Sequence, residues 1–362
     1  MRLRVVDLSR VLAGPVCSMV LGDFGADVIK VERPGSGDET RGWGPPFDRS
    51  GQSAYFLAVN RNKKSLAADL ANDTDRALVL ELIAEADVVL ENFLPGALKK
   101  LGIDAERLLD RNPALVWCTI SGFGASSARP GYDFVIQAES GWMSITGETN
   151  GSPMKVGVAL ADVIAGKDAA LAILAAIVER DAGTLDRARR HIVVSLASSA
   201  IASLVNVAQN VLVSGNDAKR YGNAHPNLVP YQLFDAADRP FVIAVGSDAQ
   251  WLSCARALGL EDLARDTALC TNAGRVEQRD RVVAAIAART REKNAQHWID
   301  LLDRQNVPCG LVRTVKEALI NSGADAETGL PPSVSGTVRT PPPRLDEHGD
   351  ALRALGWRAF TP

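Results

Sequence analysis

Short apolar segments alternate with helical patterns along the first third of the chain, and this alternation constrains the fold more than any other feature. Arg4–Leu8 is a predicted strand, Ala13–Phe24 a predicted helix that Gly25 ends, and Asp27–Glu32 the next predicted strand. Two strands separated by one helix form a βαβ unit, in which the strands lie parallel in one sheet. The chain therefore begins as an α/β protein.

The alternation continues to Ser121, with a Gly- and Pro-rich loop between Arg33 and Phe47. The further predicted elements are strands at Ser65–Leu70, Asp87–Glu91 and Leu115–Ser121, a helix at Asp73–Ala86 and a helical turn at Ala97–Leu101. Strands separated by helices in this order predict a doubly wound, Rossmann-like layer.

A second, smaller α/β unit is predicted after an irregular stretch at Ser214–Pro230. Before that stretch come a predicted strand at His191–Leu196 and one long helix at Ala197–Val213. The elements predicted for the smaller unit are strands near Tyr231–Phe234 and Phe241–Val245 and helices at Ala249–Leu258, Arg275–Arg289 and Ala295–Gln305.

Composition excludes several classes of partner. The formal net charge of −3 and the mixed signs argue against nucleic acid or a membrane surface as the main partner. Five scattered cysteines without a C-x-x-C pair, and four isolated histidines, predict neither a disulfide framework nor a metal site. Because the first residues enter a strand pattern directly, we expect no signal peptide and a cytoplasmic location.

Two glycine pairs follow predicted strands but do not form a dinucleotide-binding motif. Gly35-Ser36-Gly37 and Gly122-Phe123-Gly124 each lack the third glycine, and neither opens a helix. We therefore expect no NAD binding.

One acidic residue stands out in the middle of the chain. The apolar segment Val156–Leu160 leads to Asp162, at the start of a helix predicted over Val163–Arg180. A carboxylate at a helix N-terminus accepts backbone N–H bonds and lies at the positive end of the helix dipole, so we expect a lowered pKa and an ionised side chain. From this pattern alone a helix cap is the commoner role, because structural carboxylates outnumber catalytic ones.

Many stretches, in the same order along nearly the whole chain, resemble the family III CoA-transferases. They are RVLAGPVCSMVLGDFGADVIKVERPGSGDETR (Arg10–Arg41), VNRNKKSLAADL (Val59–Leu70), ADVVLENFLPGALKKLGI (Ala86–Ile103), YDFVIQAESGWMSITG (Tyr132–Gly147), VGVALADVIAGKDAALAILAAIVER (Val156–Arg180), YGNAHPNLVPYQLF (Tyr221–Phe234), NVPCGLV (Asn306–Val312) and PPPRLDEH (Pro341–His348). So many ordered matches are more specific than any single motif.

The resemblance implies an architecture and a nucleophile. The fold would be α/β, with a Rossmann-like large domain, a smaller α/β domain and an interlocked homodimer. The large domain would comprise residues 1–195 and 325–362, residues 196–230 would be a linker helix and loop, and residues 231–324 would form the small domain. Asp162, with Gly166 four residues later, occupies the place of the nucleophile.

Coenzyme A or an acyl-CoA would be a substrate, not a resident cofactor. The positions that match CoA contacts in the family are Leu12, Ala13, Arg33, Ala68, Asp69, Leu70, Ala71, Asn92, Phe93, Leu94 and Lys100. Lys100 stands where an arginine often occurs, so a bidentate contact is lost there. The phosphates of CoA need cations, and Lys63 and Lys64 are further candidates at strand ends.

The acid that receives CoA is predicted only as a class. The segments around Arg33–Phe47 and Tyr221–Phe234 look most like the succinyl-CoA:glutarate CoA-transferases, which suggests succinyl-CoA as donor and a small dicarboxylic acid as acceptor. Candidate substrate residues are Arg41, Tyr132, Asp133 and His225, and the cations that could hold a second carboxylate are Arg41, Arg129, Lys155, Arg220 and His225.

Two other functions stay open. An α-methylacyl-CoA racemase shares the fold and the aspartate, but Tyr132 stands where racemases carry a histidine base, and a tyrosine is a poor base at neutral pH. The other is a non-catalytic CoA-binding protein, against which the intact Asp162 motif argues.

Overall fold

The protein divides into two compact units in a computed structural model that describes residues 3–361. The larger unit comprises the described residues of Met1–Met143, Lys155–Asn216 and Asn321–Pro362, and the smaller unit comprises Ser144–Met154 and Asp217–Ile320. The larger unit thus contains residues 196–216, which the sequence assigns to a linker. The C-terminal segment is also part of the larger unit.

Nine strands form among the described residues. They are β1 (Arg4–Asp7), β2 (Asp27–Glu32), β3 (Lys63–Ala67), β4 (Val88–Glu91), β5 (Val116–Ser121), β6 (His191–Ser195), β7 (Tyr231–Asp235), β8 (Pro240–Ala244) and β9 (Cys309–Leu311). The α-helices are α1 (Ala13–Asp23), α2 (Ala54–Leu57), α3 (Asp73–Ala84), α4 (Ala97–Lys100), α5 (Ala105–Arg111), α6 (Asp133–Glu139), α7 (Trp142–Ile145), α8 (Leu160–Asp181), α9 (Leu196–Ala202), α10 (Val205–Ser214), α11 (Asp248–Ala257), α12 (Glu261–Arg265), α13 (Asn272–Glu277), α14 (Arg279–Thr290), α15 (Ala295–Asp303), α16 (Val315–Leu319) and α17 (Gly349–Leu355). Short 3₁₀ helices occur at Glu39–Gly42, Arg187–Arg190, Thr267–Leu269 and Gly356–Phe360.

The larger unit is built on a six-stranded parallel sheet in the order β3-β2-β1-β4-β5-β6. This order reverses direction between β1 and β4, as in the Rossmann fold, and ligands of such sheets bind beyond the carboxyl ends of the strands at that reversal. The predicted mixed α/β, Rossmann-like fold is confirmed.

Both faces of this sheet are covered. Val5 packs with α1 and α8 on one face, and the next residue, Val6, packs with α3 and α17 on the other, because successive strand residues point to opposite sides. Both side chains are fully buried, and such a burial contributes roughly 1.5–3 kcal/mol to stability. The near-continuous apolar runs of the strands follow from this double coverage.

The C-terminal segment completes the second of these faces. Leu352 and Trp357 lie in the core beside α3, and the Trp357 indole donates to the carbonyl oxygen of Leu82 at 3.0 Å. Asp346 accepts the backbone N–H of Ala67 at 2.7 Å, which ties the segment to β3.

The predicted single helix at Ala197–Val213 is wrong. It is two helices, α9 and α10, whose axes bend by 71° at a break where Val205 has a φ of +41°. Helical periodicity continues through the break, so the sequence gives no signal of it. No single helix among the described residues is long and apolar enough to cross a membrane, and only this bent pair passes the combined test of length and composition.

The smaller unit has its own sheet and core. Strands β7, β8 and β9 form an antiparallel sheet in that order. Trp251 on α11 and Trp298 on α15 are buried in its core, and the Trp298 indole donates to the carbonyl oxygen of Thr290 at 2.7 Å. The predicted small α/β unit is therefore present as a separately packed body.

Candidate active site

Asp162 lies in the first turn of α8, but it does not cap that helix. The helix begins at Leu160, and its N-cap residue is Ala159, which makes no side-chain cap. Asp133 at the start of α6 accepts the N–H of Ala161 at 2.9 Å instead. The interpretation of Asp162 as a helix cap is therefore wrong, and the stabilising carboxylate at this helix end belongs to Asp133.

The carboxylate of Asp162 is buried and stands apart from hydrogen-bond donors in the described part of the chain. The residue is 9% exposed, and no donor among residues 3–361 bonds to its carboxylate. Burial, followed by the negative charge of Asp133, raises the pKa of Asp162 to about 7. The predicted lowering of this pKa is wrong, because the lost hydration of the charged form outweighs the dipole of the helix.

Gly166 brings α8 close to α1. A Cβ atom at this position would lie 2.4 Å from the carbonyl oxygen of Ala13, so any other residue would push the two helices apart. Asp162 lies about one turn before Gly166 on the same helix. The glycine therefore sets the distance between Asp162 and the first turn of α1.

Asp162 lines a cavity of about 220 Å³ beyond the carboxyl ends of β1, β4 and β5. Predicted site residues that line the same cavity are Leu12, Ala13, Asn92, Phe93, Leu94 and Tyr132. Two guanidinium groups, from Arg10 and Arg129, also reach its wall. The structure thus brings the predicted nucleophile and six further predicted residues to one place.

A larger cavity of about 450 Å³ lies beyond the carboxyl ends of β1, β2 and β3. The predicted CoA-contact residues that line it are Arg33, Ala68, Asp69, Leu70, Ala71 and Phe93. Arg33 is exposed there, as a phosphate-binding cation would be. Arg10 and Phe93 belong to both cavities, so the two spaces adjoin at the reversal point of the sheet.

The turn after β4 is fixed by a reciprocal pair of hydrogen bonds. The amide side chain of Asn92 accepts the N–H of Arg10 at 2.9 Å and donates to the carbonyl oxygen of Arg10 at 2.7 Å. Glu91 accepts the N–H of Phe93 at 2.7 Å. The side chain of Asn92 is therefore engaged with the protein itself, while Phe93 remains on the cavity wall.

Three of the predicted cationic residues line neither of these two cavities. Arg41 donates to both oxygens of Glu32 at 2.8 Å and also to Gln52 and Pro343. Lys100 is exposed on α4 and lines neither cavity. The prediction that Lys63 binds phosphate is wrong. Strand β3 begins at this residue, and its ammonium is fully buried, 3.3 Å from the carboxylate of Asp7. Burial lowers the pKa of Lys63 to about 8 despite that partner.

Two further predicted residues belong to the smaller unit. The imidazole Nδ1 of His225 accepts the N–H of Asn227 at 3.0 Å, and its ring packs on Tyr231. Arg220 donates to the carbonyl oxygens of Ser144, Glu148 and Gly151. Both side chains hold loops of that unit together.

Sequence reasoning missed two residues near Asp162. Arg10 reaches both cavities, and its buried Nε has no hydrogen-bond partner among the described residues. Burial, followed by the charges of Asp162 and Asp133, raises the pKa of the Tyr55 phenol to about 12, so this hydroxyl lies within electrostatic reach of Asp162. No motif in the sequence distinguishes Tyr55, which packs edge-on against Trp43 in the structure.

Comparison with known proteins points to one family. The model of the family described as "CoA-transferase family III" matches residues 2–348. The chain is 41% identical to the succinate–glutarate CoA-transferase of Agrobacterium fabrum, over 87% of this chain and 80% of that protein. It is also 41% identical to the succinyl-CoA:glutarate CoA-transferase of Mus musculus, over 87% of this chain and 72% of that protein.

A solved structure agrees with these matches. A CAIB/BAIF family protein from Brucella suis superposes with a TM-score of 0.84 at 41% identity, and the match covers 97% of each chain. The likeness therefore extends over both units.

Proposed function

Because the chain belongs to CoA-transferase family III, we propose that it moves CoA from an acyl-CoA to a small dicarboxylic acid and that Asp162 carries the transferred groups. The observation that supports this most directly is the carboxylate of Asp162 itself, which is buried on the wall of a cavity without a hydrogen-bond donor from residues 3–361. A buried carboxylate of perturbed pKa in a cleft is the expected form of a reactive group.

The chemistry needs no group besides a carboxylate. Asp162 attacks the thioester carbonyl, a C–O bond forms, and the C–S bond breaks to release CoA thiolate and leave a mixed anhydride. The thiolate then attacks the aspartyl carbonyl, which forms an Asp162–CoA thioester and releases the donor acid as its carboxylate. The acceptor carboxylate repeats both steps in reverse and regenerates Asp162. No net proton or electron is transferred, and the enzyme acts by covalent catalysis.

The burial of Asp162 favours these reaction steps in two ways. The anhydride and the aspartyl thioester would both be lost to hydrolysis if water reached them, and Asp162 is 9% exposed. A carboxylate without hydrogen bonds is also a stronger nucleophile than one that donors stabilise. The ionised form reacts, and a pKa of about 7 leaves a large fraction of it at neutral pH.

The larger cavity is our proposed site for the nucleotide of CoA. It adjoins the Asp162 cavity at Phe93, so the pantetheine arm would pass this ring on its way to the nucleophile. Arg33 would contact phosphate, and the segment Ala68–Ala71 would line the adenine side. Lys100 would take part only if its flexible side chain reaches over the rim.

For the second carboxylate of a dicarboxylic acid we propose Arg129. It is the one member of the five candidate cations that lines the Asp162 cavity. Its guanidinium lies over the Phe123 ring at 4.3 Å and forms a bidentate pair with the exposed carboxylate of Glu139. A substrate carboxylate would use the same bidentate geometry, and an exposed ion pair is readily exchanged. The glutarate named in both relatives supports this class of acceptor.

We also propose a homodimer in the cytoplasm. Apolar side chains are exposed on consecutive helices of the larger unit, among them Leu171 on α8, Ile201 on α9 and Leu212 on α10. Large apolar side chains exposed on successive helices support an interface, because contiguous apolar patches on a surface usually mark one. The free, mostly buried cysteines agree with a reducing compartment.

A donor-by-acceptor matrix tests the proposed function. Purified protein is mixed with succinyl-CoA or acetyl-CoA and with glutarate, shorter dicarboxylates or butyrate, and new acyl-CoA is measured by chromatography. We expect transfer from succinyl-CoA to a dicarboxylate. Exchange of an α-proton with solvent deuterium in the absence of CoA transfer would favour the racemase. Binding of CoA without either reaction would contradict the proposal that the protein is an enzyme.

A further inference from the structure

The loop between β1 and α1 is held by side chains at every backbone polar group from the N–H of Ser9 to the N–H of Val11. The N–H of Ser9 donates to Asp7 at 2.9 Å, and its carbonyl oxygen accepts from Lys30 at 3.0 Å. Asn92 binds both the N–H and the carbonyl oxygen of Arg10. The N–H of Val11 donates to Asp38 at 3.2 Å. Side-chain hydrogen bonds thus hold this part of the loop in place, as backbone hydrogen bonds between strands hold a sheet.

Val11 is held in a conformation that its side chain disfavours. Its φ is +69°, in the left-handed region, where a β-branched residue is a rare outlier. Such a residue persists only when its surroundings over-determine the backbone, and residues of this kind cluster at functional sites. Here the acceptor that holds the Val11 N–H is the carboxylate of Asp38.

The carboxylate of Asp38 is itself fixed and ionised. Lys30 lies 2.9 Å away, and the side chains of both residues are almost completely buried, at 1% and 0% exposed. Thr40 donates both its N–H, at 3.0 Å, and its hydroxyl, at 2.8 Å. Burial by itself would raise the pKa of Asp38, but the charge of Lys30 and these hydrogen bonds outweigh it, and the pKa is lowered.

What this loop determines is the position of the first turn of α1. Leu12 is the N-cap residue and supplies no capping side chain, so the first N–H groups of the helix have no partner within it. Leu12 and Ala13 line the cavity of Asp162, whose buried carboxylate also lacks a partner among residues 3–361. The carbonyl oxygen of Ala13 lies against Gly166 on the helix that carries Asp162. Any shift of Val11 would therefore move peptide groups relative to the nucleophile.

We propose that Asp38 is a positioning residue for CoA transfer. Its carboxylate, paired with the buried Lys30, holds the peptide of Val11 in the left-handed conformation. This keeps the first-turn N–H groups of α1 beside Asp162, where they would receive a thioester oxygen. The inference rests on the proposed function. Asp38 also lies at the wall of the larger cavity, but its side chain is 1% exposed and is engaged with Lys30, Thr40 and Val11, so it acts through the loop and not on a reacting atom.

The test is the substitution Asp38→Asn, which keeps the shape but removes the charge that pairs with Lys30. A displacement of about 1 Å can reduce a rate by about 100-fold, so we expect kcat to fall by roughly 10- to 100-fold while KM for the acyl-CoA stays within roughly threefold of the wild-type value. Adding Val11→Gly to this variant should recover part of kcat, because glycine adopts a positive φ without strain.

A second buried ion pair provides the matched control. Asp23, at the other end of α1, pairs with Arg61 at 2.6 Å, and both side chains are at most 3% exposed. Asp23 does not contact the loop. Asp23→Asn should lower Tm about as much as Asp38→Asn does and leave kcat nearly unchanged. If Asp38→Asn does not yield folded protein, Lys30→Met removes the cation that fixes Asp38 and should give the same fall in kcat.

The outcomes separate the inference from the function on which it rests. Wild-type protein that transfers no CoA would overturn the proposed function and the inference with it. Transfer by the wild type with an unchanged kcat in Asp38→Asn would overturn the inference alone. So would a rise in KM without a fall in kcat, a fall in kcat of equal size in Asp23→Asn, or no recovery on adding Val11→Gly.

Discussion

Asp38 and Asp162 are both buried carboxylates in the larger unit, but their surroundings are opposite. Asp38 is paired with Lys30 at 2.9 Å and accepts hydrogen bonds from Thr40 and Val11, and its pKa is lowered. Asp162 has no donor among the described residues, and burial and the charge of Asp133 raise its pKa to about 7. The same residue type is thus held ionised in one place and left close to titration in the other.

The difference separates a carboxylate that supports the backbone from the one that we propose to be reactive. A paired carboxylate is strongly bound to its partners and can fix a backbone, as Asp38 does for Val11. A carboxylate without partners is costly to bury, and the fold tolerates it where the free charge is needed. Asp133 lies between these cases, since it stabilises the N-terminus of α8 and also opposes ionisation of Asp162.

The largest expected effect comes from removing the partnerless carboxylate. Asp162→Ala should reduce kcat for CoA transfer by about 10⁴-fold or more, because the proposed pathway passes through this carboxylate. CoA binding, measured by calorimetry, should remain. Asp168→Asn is the matched control, since Asp168 lies on the same helix and accepts a hydrogen bond from the Ser199 hydroxyl at 2.6 Å. Residual transfer near the wild-type rate in Asp162→Ala would show that another group is the carrier.

The next effect concerns the cation of the Asp162 cavity. Arg129→Gln should raise KM for a dicarboxylate acceptor by roughly 10- to 100-fold, because hydrogen bonds between charged groups contribute about 1.5–3 kcal/mol. KM for butyrate should stay unchanged, since it has no second carboxylate. Arg187→Gln, which removes another exposed arginine paired with Glu106, controls for the loss of charge. Equal effects on both acceptors would exclude Arg129 as the specificity residue.

The sequence was sufficient for the fold and for the place of Asp162 near the start of its helix. Strand β2 has the predicted bounds, and Asp162 lies at the start of its helix because local apolar patterning determines both. The sign of the pKa shift was not predictable, since it depends on which distant groups fail to approach Asp162. The burial of Lys63 against Asp7 and the left-handed turn at Val11 likewise arise from contacts between separate segments.

The pH dependence of the reaction should report the pKa of Asp162. Since the ionised form attacks, kcat/KM should rise about tenfold for each pH unit below 7 and level off above it. This is measured with an acyl-CoA whose own groups do not titrate between pH 5 and 9. A profile that is flat down to pH 5 would mean that Asp162 is ionised by partners in the working enzyme, as Asp38 is.

The smallest effect is on stability. Because the folded-state pKa of Asp162 is raised above the ordinary value of 3.8, the folded protein binds more protons than the unfolded chain between about pH 4 and 7, and the free energy of unfolding falls as the pH rises through that range. Asp162→Asn removes this penalty. We expect its Tm to exceed that of the wild type at pH 8 and to match it at pH 4, by thermal unfolding. A lower Tm at pH 8 would mean that Asp162 is stabilised by partners.

The most direct measurement is the mass of the covalent intermediate. The protein is mixed with succinyl-CoA, quenched in acid within milliseconds and digested, and the peptides are analysed by mass spectrometry. We expect a CoA thioester on the peptide that contains Asp162 and none on the peptides that contain Asp38 or Asp133. Full CoA transfer without an adduct on Asp162, or with the adduct on another carboxylate, would contradict it.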